Sequence, residues 1–151
     1  MGKLTRAFTL IELLVVISII GILATLISAN LNLARSRARD AQRKSDLKNI
    51  STALRTYYND FETYPTAFSF ATPFVSVSGT TTYMSRVPND PQYVSTIPTS
   101  PRYSYALTNS GDGFTLSACL ENGSDAQGTP VPIPNPFTFT CSSSRMFQVI
   151  Q

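Results

Sequence analysis

The chain has no histidine and no tryptophan, its only cysteines are Cys119 and Cys141, and none of its ten prolines precedes Pro65. Each absence closes off a class. Without histidine the commonest general base and metal ligand is missing, and neither a Ser-His-Asp nor a Cys-His arrangement can be assembled. The seven glycines form no phosphate-cradling loop: Ser110-Gly111-Asp112-Gly113 has too few of them at the wrong spacing and reads as a hairpin turn. No nucleophile–base pair is recognisable, so the chain is read as a non-enzyme. Its 151 residues leave room for one modest domain beside an N-terminal helix, and not for a two-lobed enzyme.

Charge is also missing from one long stretch. Between Glu12 and Arg35 lie 22 uncharged residues, 13–34, which at helical rise extend about 33 Å, enough to cross a hydrocarbon core once. Glu12 stands at the head of this run, just after Phe8-Thr9-Leu10-Ile11. An ionised side chain among apolar neighbours calls for a partner. Cutting the chain between Ala7 and Phe8 would create one, because the new α-amino group is a cation close to Glu12. In a helical assembly, the amine of one subunit could pair with the carboxylate of its neighbour. A plain signal anchor, with Glu12 at the water interface, has no need of this pentapeptide. A cleaved secretory signal does not fit, because the basic leader precedes the apolar run and no break follows it.

The run Phe8-Thr9-Leu10-Ile11-Glu12 after Ala7 resembles the class III signal of type IV pilins and type II secretion pseudopilins. That resemblance implies a prepilin peptidase that cuts after Ala7 and N-methylates Phe8, and it assigns Glu12 to assembly. The family usually has Gly before the cut, where this chain has Ala7. Further on, Asp46-Leu47-Lys48-Asn49-Ile50-Ser51-Thr52-Ala53-Leu54, Tyr57-Tyr58-Asn59-Asp60 and Tyr64-Pro65 resemble the run that closes the long helix of major pseudopilins. Where many members carry Val-Pro-Asn-Leu, this chain has Ser28-Ala29-Asn30-Leu31 and lacks the helix-kinking proline.

The resemblance implies the α+β pilin fold, with a long N-terminal α-helix packed on a small C-terminal antiparallel β-sheet. The expected organisation is a leader at 1–7, a transmembrane and filament-core helix at 8–34, an amphipathic continuation at 35–64 and a globular β domain with its connecting loop at 65–151. It further implies a homo-oligomeric helical filament, a separate assembly ATPase and a membrane platform protein. The expected location is a single pass through the cytoplasmic (inner) membrane with the globular domain outside, then an extracellular or periplasmic filament. Pilus subunit is the leading reading. A pseudopilin in protein export, or a minor or competence pilin holding DNA through surface cations such as Arg86, Arg102 and Arg145, are the alternatives.

The net charge of +3 hides an asymmetry. Residues 35–55 carry seven basic side chains against two acidic, whereas residues 56–151 carry three against six. The basic stretch is read as a solvated helix face with Asp40 and Lys44 as an i,i+4 pair, plus some contact with lipid headgroups. Six cations from Arg35 to Lys48 would by themselves hold the large domain in the cytoplasm. Cys119 and Cys141, an even count in a chain with a membrane signal, point instead to a disulfide formed outside, and with the processing motif they outweigh the charges.

Periodicity sets the elements. Leu47, Ile50, Leu54, Tyr57 and Phe61 form one helical stripe, which predicts that the domain first touches the helix near Leu47, since Arg43, Asp40 and Ser36 continue the stripe backwards. Ala34, Ala38 and Ala41 lie on the opposite face. Alternation predicts a hairpin of 103–107 and 114–118, with Tyr103, Tyr105, Leu107, Phe114, Leu116, Ala118 and Leu120 toward the helix. A third strand is expected at 137–141, a fourth at 146–150, short strands at 74–77 and 83–87, and an extended proline-rich segment at 129–136. A Cys119–Cys141 bond resembles the disulfide-bounded C-terminal region of many type IV pilins, whereas major pseudopilins usually lack it and use a calcium loop. Glu121, Asn122, Ser124 and Asp125 surround a glycine turn with hard oxygen ligands suited to Ca²⁺, but without EF-hand spacing, and a polar turn is the preferred reading.

Overall fold

The computed structural model describes residues 8–151. The leader, residues 1–7, including Ala7 on one side of the expected cut, lies outside the described residues. The chain divides into two compact units, Met1–Ser36 and Arg37–Gln151.

Helix α1, Leu10–Phe61, is 52 residues long and runs from the first unit into the second. No proline interrupts it, and helix-favouring Ala, Leu, Ile, Arg and Lys fill it. Among the described residues it is the one helix long and apolar enough to cross a membrane. In the first unit the large apolar side chains described, among them Leu10, Ile11, Leu14, Ile17, Leu23, Ile27 and Leu33, are exposed, as suits burial in lipid or against other copies. The hydroxyls of Ser18 and Thr25 donate back to the carbonyls of Leu14 and Ile22, each at 2.8 Å, which satisfies two donors that water would otherwise have to serve.

The second unit places a sheet against the rest of α1. Strands β3 (Ser104–Thr108), β4 (Gly113–Cys119), β5 (Thr129–Pro130) and β6 (Arg145–Ile150) pair antiparallel in the order β3-β4-β6-β5. Leu47, Ile50, Leu54 and Tyr57 of α1 join Tyr103, Phe114, Leu116 and Ala118 in one buried cluster, so the helical stripe meets alternate residues of β4. Tyr105 and Leu107 pack partly buried against that cluster, and Leu120 is fully buried. Phe61 ends the stripe at 41% exposed, its ring 4.6 Å from that of Tyr57.

The helix stops where Glu62 turns into the left-handed region at φ 54°. The Tyr64 N–H then donates to Gly111 O at 2.9 Å and so ties the chain to the β3–β4 turn. Gly111 sits at φ +109°, and a Cβ there would meet Thr63 Oγ1 at 2.7 Å, so both backbone and space require glycine. Between helix and sheet, β1 (Phe74–Val75) and β2 (Thr82–Met84) form a separate two-stranded ladder, shorter than the expected 74–77 and 83–87.

The fourth expected strand exists as β6, which pairs with β4. The third does not: residues 137–141 form no strand. Asn135 explains the difference. Its side-chain oxygen accepts from the Phe137 N–H at 2.9 Å and its amide donates to Phe139 O at 3.1 Å, which holds the chain in a turn and removes it from any ladder. Phe137 and Phe139 instead form a second small core with Cys119, Cys141 and Met146. Part of the proline-rich segment is a strand after all, since β5 pairs with β6 at Thr129↔Met146 and Pro130↔Arg145.

Candidate functional site

At the start of α1, Thr9 and Glu12 are joined three ways. The Thr9 N–H donates to Glu12 Oε2 at 2.9 Å, the Thr9 hydroxyl donates to the same oxygen at 2.7 Å, and the Glu12 N–H donates to Thr9 Oγ1 at 3.3 Å. This is a capping box, in which cap and third residue satisfy each other's orphan groups. Within a single chain, Glu12 therefore already has local partners. Phe8, just before the cap, is 81% exposed.

Of the segment read as a solvated basic face, Arg35, Arg37, Lys48 and Arg55 are exposed, whereas Arg39, Arg43 and Lys44 form a clamp. Arg43 is 1% exposed. Its guanidinium takes Asp90 bidentately, Nε to Oδ2 at 2.7 Å and Nη2 to Oδ1 at 3.0 Å, while Nη1 reaches Asp40 at 2.8 Å and Glu121 at 2.7 Å. Asp40 is equally buried and accepts from the N–H groups of Glu121 and Asn122 at 2.9 and 2.8 Å. Asp40 does not pair with Lys44, which reaches Asp125 at 2.6 Å, and Arg39 takes Glu121 at 2.7 and 2.5 Å. Contact between α1 and the loops therefore begins near Arg39, two turns before Leu47.

These charges are matched closely enough to move proton affinities. Burial would lower the Arg43 pKa, but the hydrogen bonds it donates to Asp90, Glu121 and Asp40, together with the charge of Asp90, outweigh it and raise the pKa above the ordinary arginine value. Hydrogen bonding to Arg39, then to Arg43, holds Glu121 below the usual carboxylate range, and Lys44 does the same for Asp125. Asp46 goes the other way. Burial raises its pKa, although Tyr103 donates its hydroxyl to Asp46 Oδ2 at 2.7 Å.

Two of the proposed calcium ligands thus serve as acceptors for protein cations, and Asn122 Oδ1 accepts from the Ser124 N–H at 3.1 Å to form the polar turn. Among the described residues, no group of three or more acidic, histidine or cysteine side chains is disposed to hold a metal. Of the cations considered for nucleic acid, Arg102 donates to Pro98 O at 2.8 Å and Arg145 donates to the carbonyls of Gly123 and Gly128 at 3.0 and 2.8 Å. Both brace loops. Cys119 and Cys141 are disulfide-bonded with Cα atoms 5.6 Å apart, which ties the end of β4 to the folded-over 137–141 segment.

The Arg43 cluster escaped the sequence reading, yet one signal was present. Arg43 and Asp40 fall on the backward continuation of the Leu47–Ile50–Leu54 stripe, where a side chain faces the domain whatever its polarity. Their partners Asp90 and Glu121 lie 47 and 78 residues away, so local pattern could not supply them.

A family model, the prokaryotic N-terminal methylation motif, matches residues 3–28. Over 95 residues the chain is 35% identical to the type II secretion system core protein G of Klebsiella pneumoniae, covering 57% of this chain and 68% of the relative. The protein of the same name from Escherichia coli K12 is 43% identical over 61 residues, 40% of this chain and 42% of its own length. The type IV major pilin protein PilA of Myxococcus xanthus is 37% identical over 59 residues, 39% of this chain. The chain spans about a quarter of that pilin and less than half of the Escherichia coli relative. No solved structure matches the chain significantly.

Proposed function

Because the chain belongs to the superfamily of type IV pilins and type II secretion pseudopilins, we propose that it is a structural subunit of a type IV pilus-like filament, anchored in a membrane until it is processed and polymerised through its N-terminal helix. The observation that carries this is the exposed apolar side chains described between Leu10 and Leu33, preceded by Phe8 and carrying Glu12 in the first helical turn. An apolar surface of that length needs either lipid or other copies of itself around it.

In this reading a prepilin peptidase hydrolyses the Ala7–Phe8 bond and the new Phe8 amine is methylated. The cationic amine then pairs with Glu12 of an adjacent subunit, in competition with the Thr9 cap that holds Glu12 within its own chain. A cytoplasmic assembly ATPase and a membrane platform protein drive the extraction from lipid. The Cys119–Cys141 bond supports a single pass through the cytoplasmic membrane with the folded unit outside, where disulfides form. No role in catalysis is proposed.

A pseudopilin in protein export is the second reading, favoured because the similarity to core protein G extends over 95 residues, well past the processing motif. For the DNA-binding reading, Arg86 is exposed, while Arg102 and Arg145 also donate to backbone carbonyls. Shearing cells that express the chain with a complete assembly system, then immunolabelling the released material, tests the filament reading. Labelled helical filaments are expected. The chain remaining wholly in the membrane fraction would contradict it.

A further inference from the structure

Inside the folded unit the charges sort into those paired in the clamp and those left on the surface. Asp40, Asp90, Glu121 and Asp125 meet Arg39, Arg43 and Lys44, and Asp46 accepts from Tyr103. Asp60, Glu62 and Asp112 are exposed and, among the described residues, enter no ion pair. The same is true of Arg37, Lys48 and Arg55. Asp112 and Arg55 line one recess and offset each other. Along α1 this leaves Arg37 and Lys48 early in the folded unit, and Asp60 and Glu62 where the helix ends.

The two sets are placed to meet only between copies. At about 100° per residue, Arg37, Lys44 and Lys48 leave α1 within about 20° of one line, whereas Asp60 leaves it about 140° further round. Arg37, Lys44 and Lys48 surround a recess of about 400 Å³ that the small side chains of Ala41 and Ser45 leave open. Asp125, which Lys44 reaches at 2.6 Å, is the one carboxylate among its lining residues, so two cations there stay uncompensated. The acidic pair is held in place. Asp60 Oδ2 accepts from the Tyr83 hydroxyl at 2.7 Å, the Glu62 N–H donates to Tyr58 O at 2.8 Å, and the Tyr64 N–H fixes the following residues to Gly111 O. Groups held in advance lose little conformational freedom on docking, which is the usual opposing term in binding.

We propose that the Asp60–Glu62 end of α1 in one subunit docks in the Arg37–Lys44–Lys48 recess of a second copy of this chain. The inference rests on the filament reading above and adds to it a contact between folded units. Two carboxylates entering a recess with two uncompensated cations balance its charge. Acidic and basic surfaces are different parts of the same chain, so the contact is heterologous, and its repetition produces an open helical array and not a closed dimer. Bringing Asp60 of one copy level with Lys44 of a parallel copy requires a shift of about 24 Å along the helix axis. Charge complementarity of this kind fixes register and steers encounter more than it adds affinity.

The test uses the full-length chain in assembling cells. Sheared filaments treated with a carbodiimide, which joins a lysine amine directly to a carboxylate in contact with it, should give a ladder of multimers. The linked peptides should carry Lys44 or Lys48 on one side and Asp60 or Glu62 on the other. Lys48 and Asp60 lie about 18 Å apart along one helix, so this link does not form within a chain. Lys48→Glu and Glu62→Lys should each leave the Cys119–Cys141 bond and the protease resistance of the folded unit unchanged while filament yield falls about tenfold, because each sets like charges together. Combining the two should restore most of the yield. Filaments without the link, or normal yield from both single variants, would overturn the contact and leave the filament reading standing. Failure of the combined variant to recover would overturn it in favour of a different anionic occupant of the recess, such as a phosphate of lipid or nucleic acid. Absence of filaments from the unsubstituted chain would overturn the filament reading and this contact with it.

Discussion

Arg43 and Asp90, 47 residues apart, form a bidentate ion pair in which both side chains are only 1% exposed. Asp40 and Glu121 complete the arrangement around the same guanidinium. The fold thereby fixes the middle of α1 to the connecting loop and to the turn after β4 at one point, adjacent to where the apolar helix ends.

Removing one member of such a cluster leaves the others buried and unmatched. Arg43→Ala should destabilise the folded unit by about 3–5 kcal/mol, far more than loss of an exposed arginine. Urea unfolding of the full chain in detergent measures it. Arg37→Ala, on the exposed part of the same helix, should change stability by less than about 0.5 kcal/mol. Equal effects from the two would show that the cluster contributes little.

Acid should weaken the clamp. Glu121 and Asp125 have pKa values below their ordinary 4.5 and 3.8, so their contribution is fully present above those values and is lost as pH falls through the depressed folded values. Asp46 opposes this, because its raised pKa means that protonation relieves a native-state penalty on acidification. The net expectation is a stability that falls below about pH 4.5, with a shallower acid limb in Glu121→Gln and Asp125→Asn. Melting temperature against pH for the three proteins decides it.

The disulfide closes a loop with a sequence separation of 22 residues and anchors the second small core. Reduction, or the pair Cys119→Ser with Cys141→Ser, should lower stability by about 3 kcal/mol on the chain-entropy account. The detached 137–141 segment should become the first site of proteolysis. Unchanged protease resistance after reduction would show that Asn135 and the two phenylalanines hold the segment by themselves.

Glu12→Gln separates two roles of the carboxylate. Glutamine serves at the third position of a capping box, so the Thr9 cap should persist while the charge is lost. The variant should insert and be processed, with filament assembly falling sharply. Normal filaments would mean that no pairing with a neighbour's amine is required.

The long helix and the β3–β4 hairpin were legible in sequence because their signals are local: 3,4 spacing from Leu47 to Tyr57, and alternation on either side of Gly111. Phe137-Thr138-Phe139-Thr140 alternates just as well, yet forms no strand. The same alternation lets both rings fall onto the disulfide once Asn135 turns the chain. For the charged residues type does not decide exposure: position on the stripe does, and the compensating Asp90 and Glu121 come from distant loops. In the turn after β4, read as a polar turn with calcium as the alternative, Glu121 and Asp125 meet Arg39, Arg43 and Lys44 of the helix.

Mass spectrometry of the chain's N-terminus, taken from filaments sheared off cells with an active prepilin peptidase, reads processing, export and assembly in one sample. The expected species has lost residues 1–7, begins at Phe8, carries one added methyl group and retains an oxidised Cys119–Cys141 pair. Full-length, unmethylated chain still beginning at Met1, with free thiols, would contradict processing, export and filament assembly together.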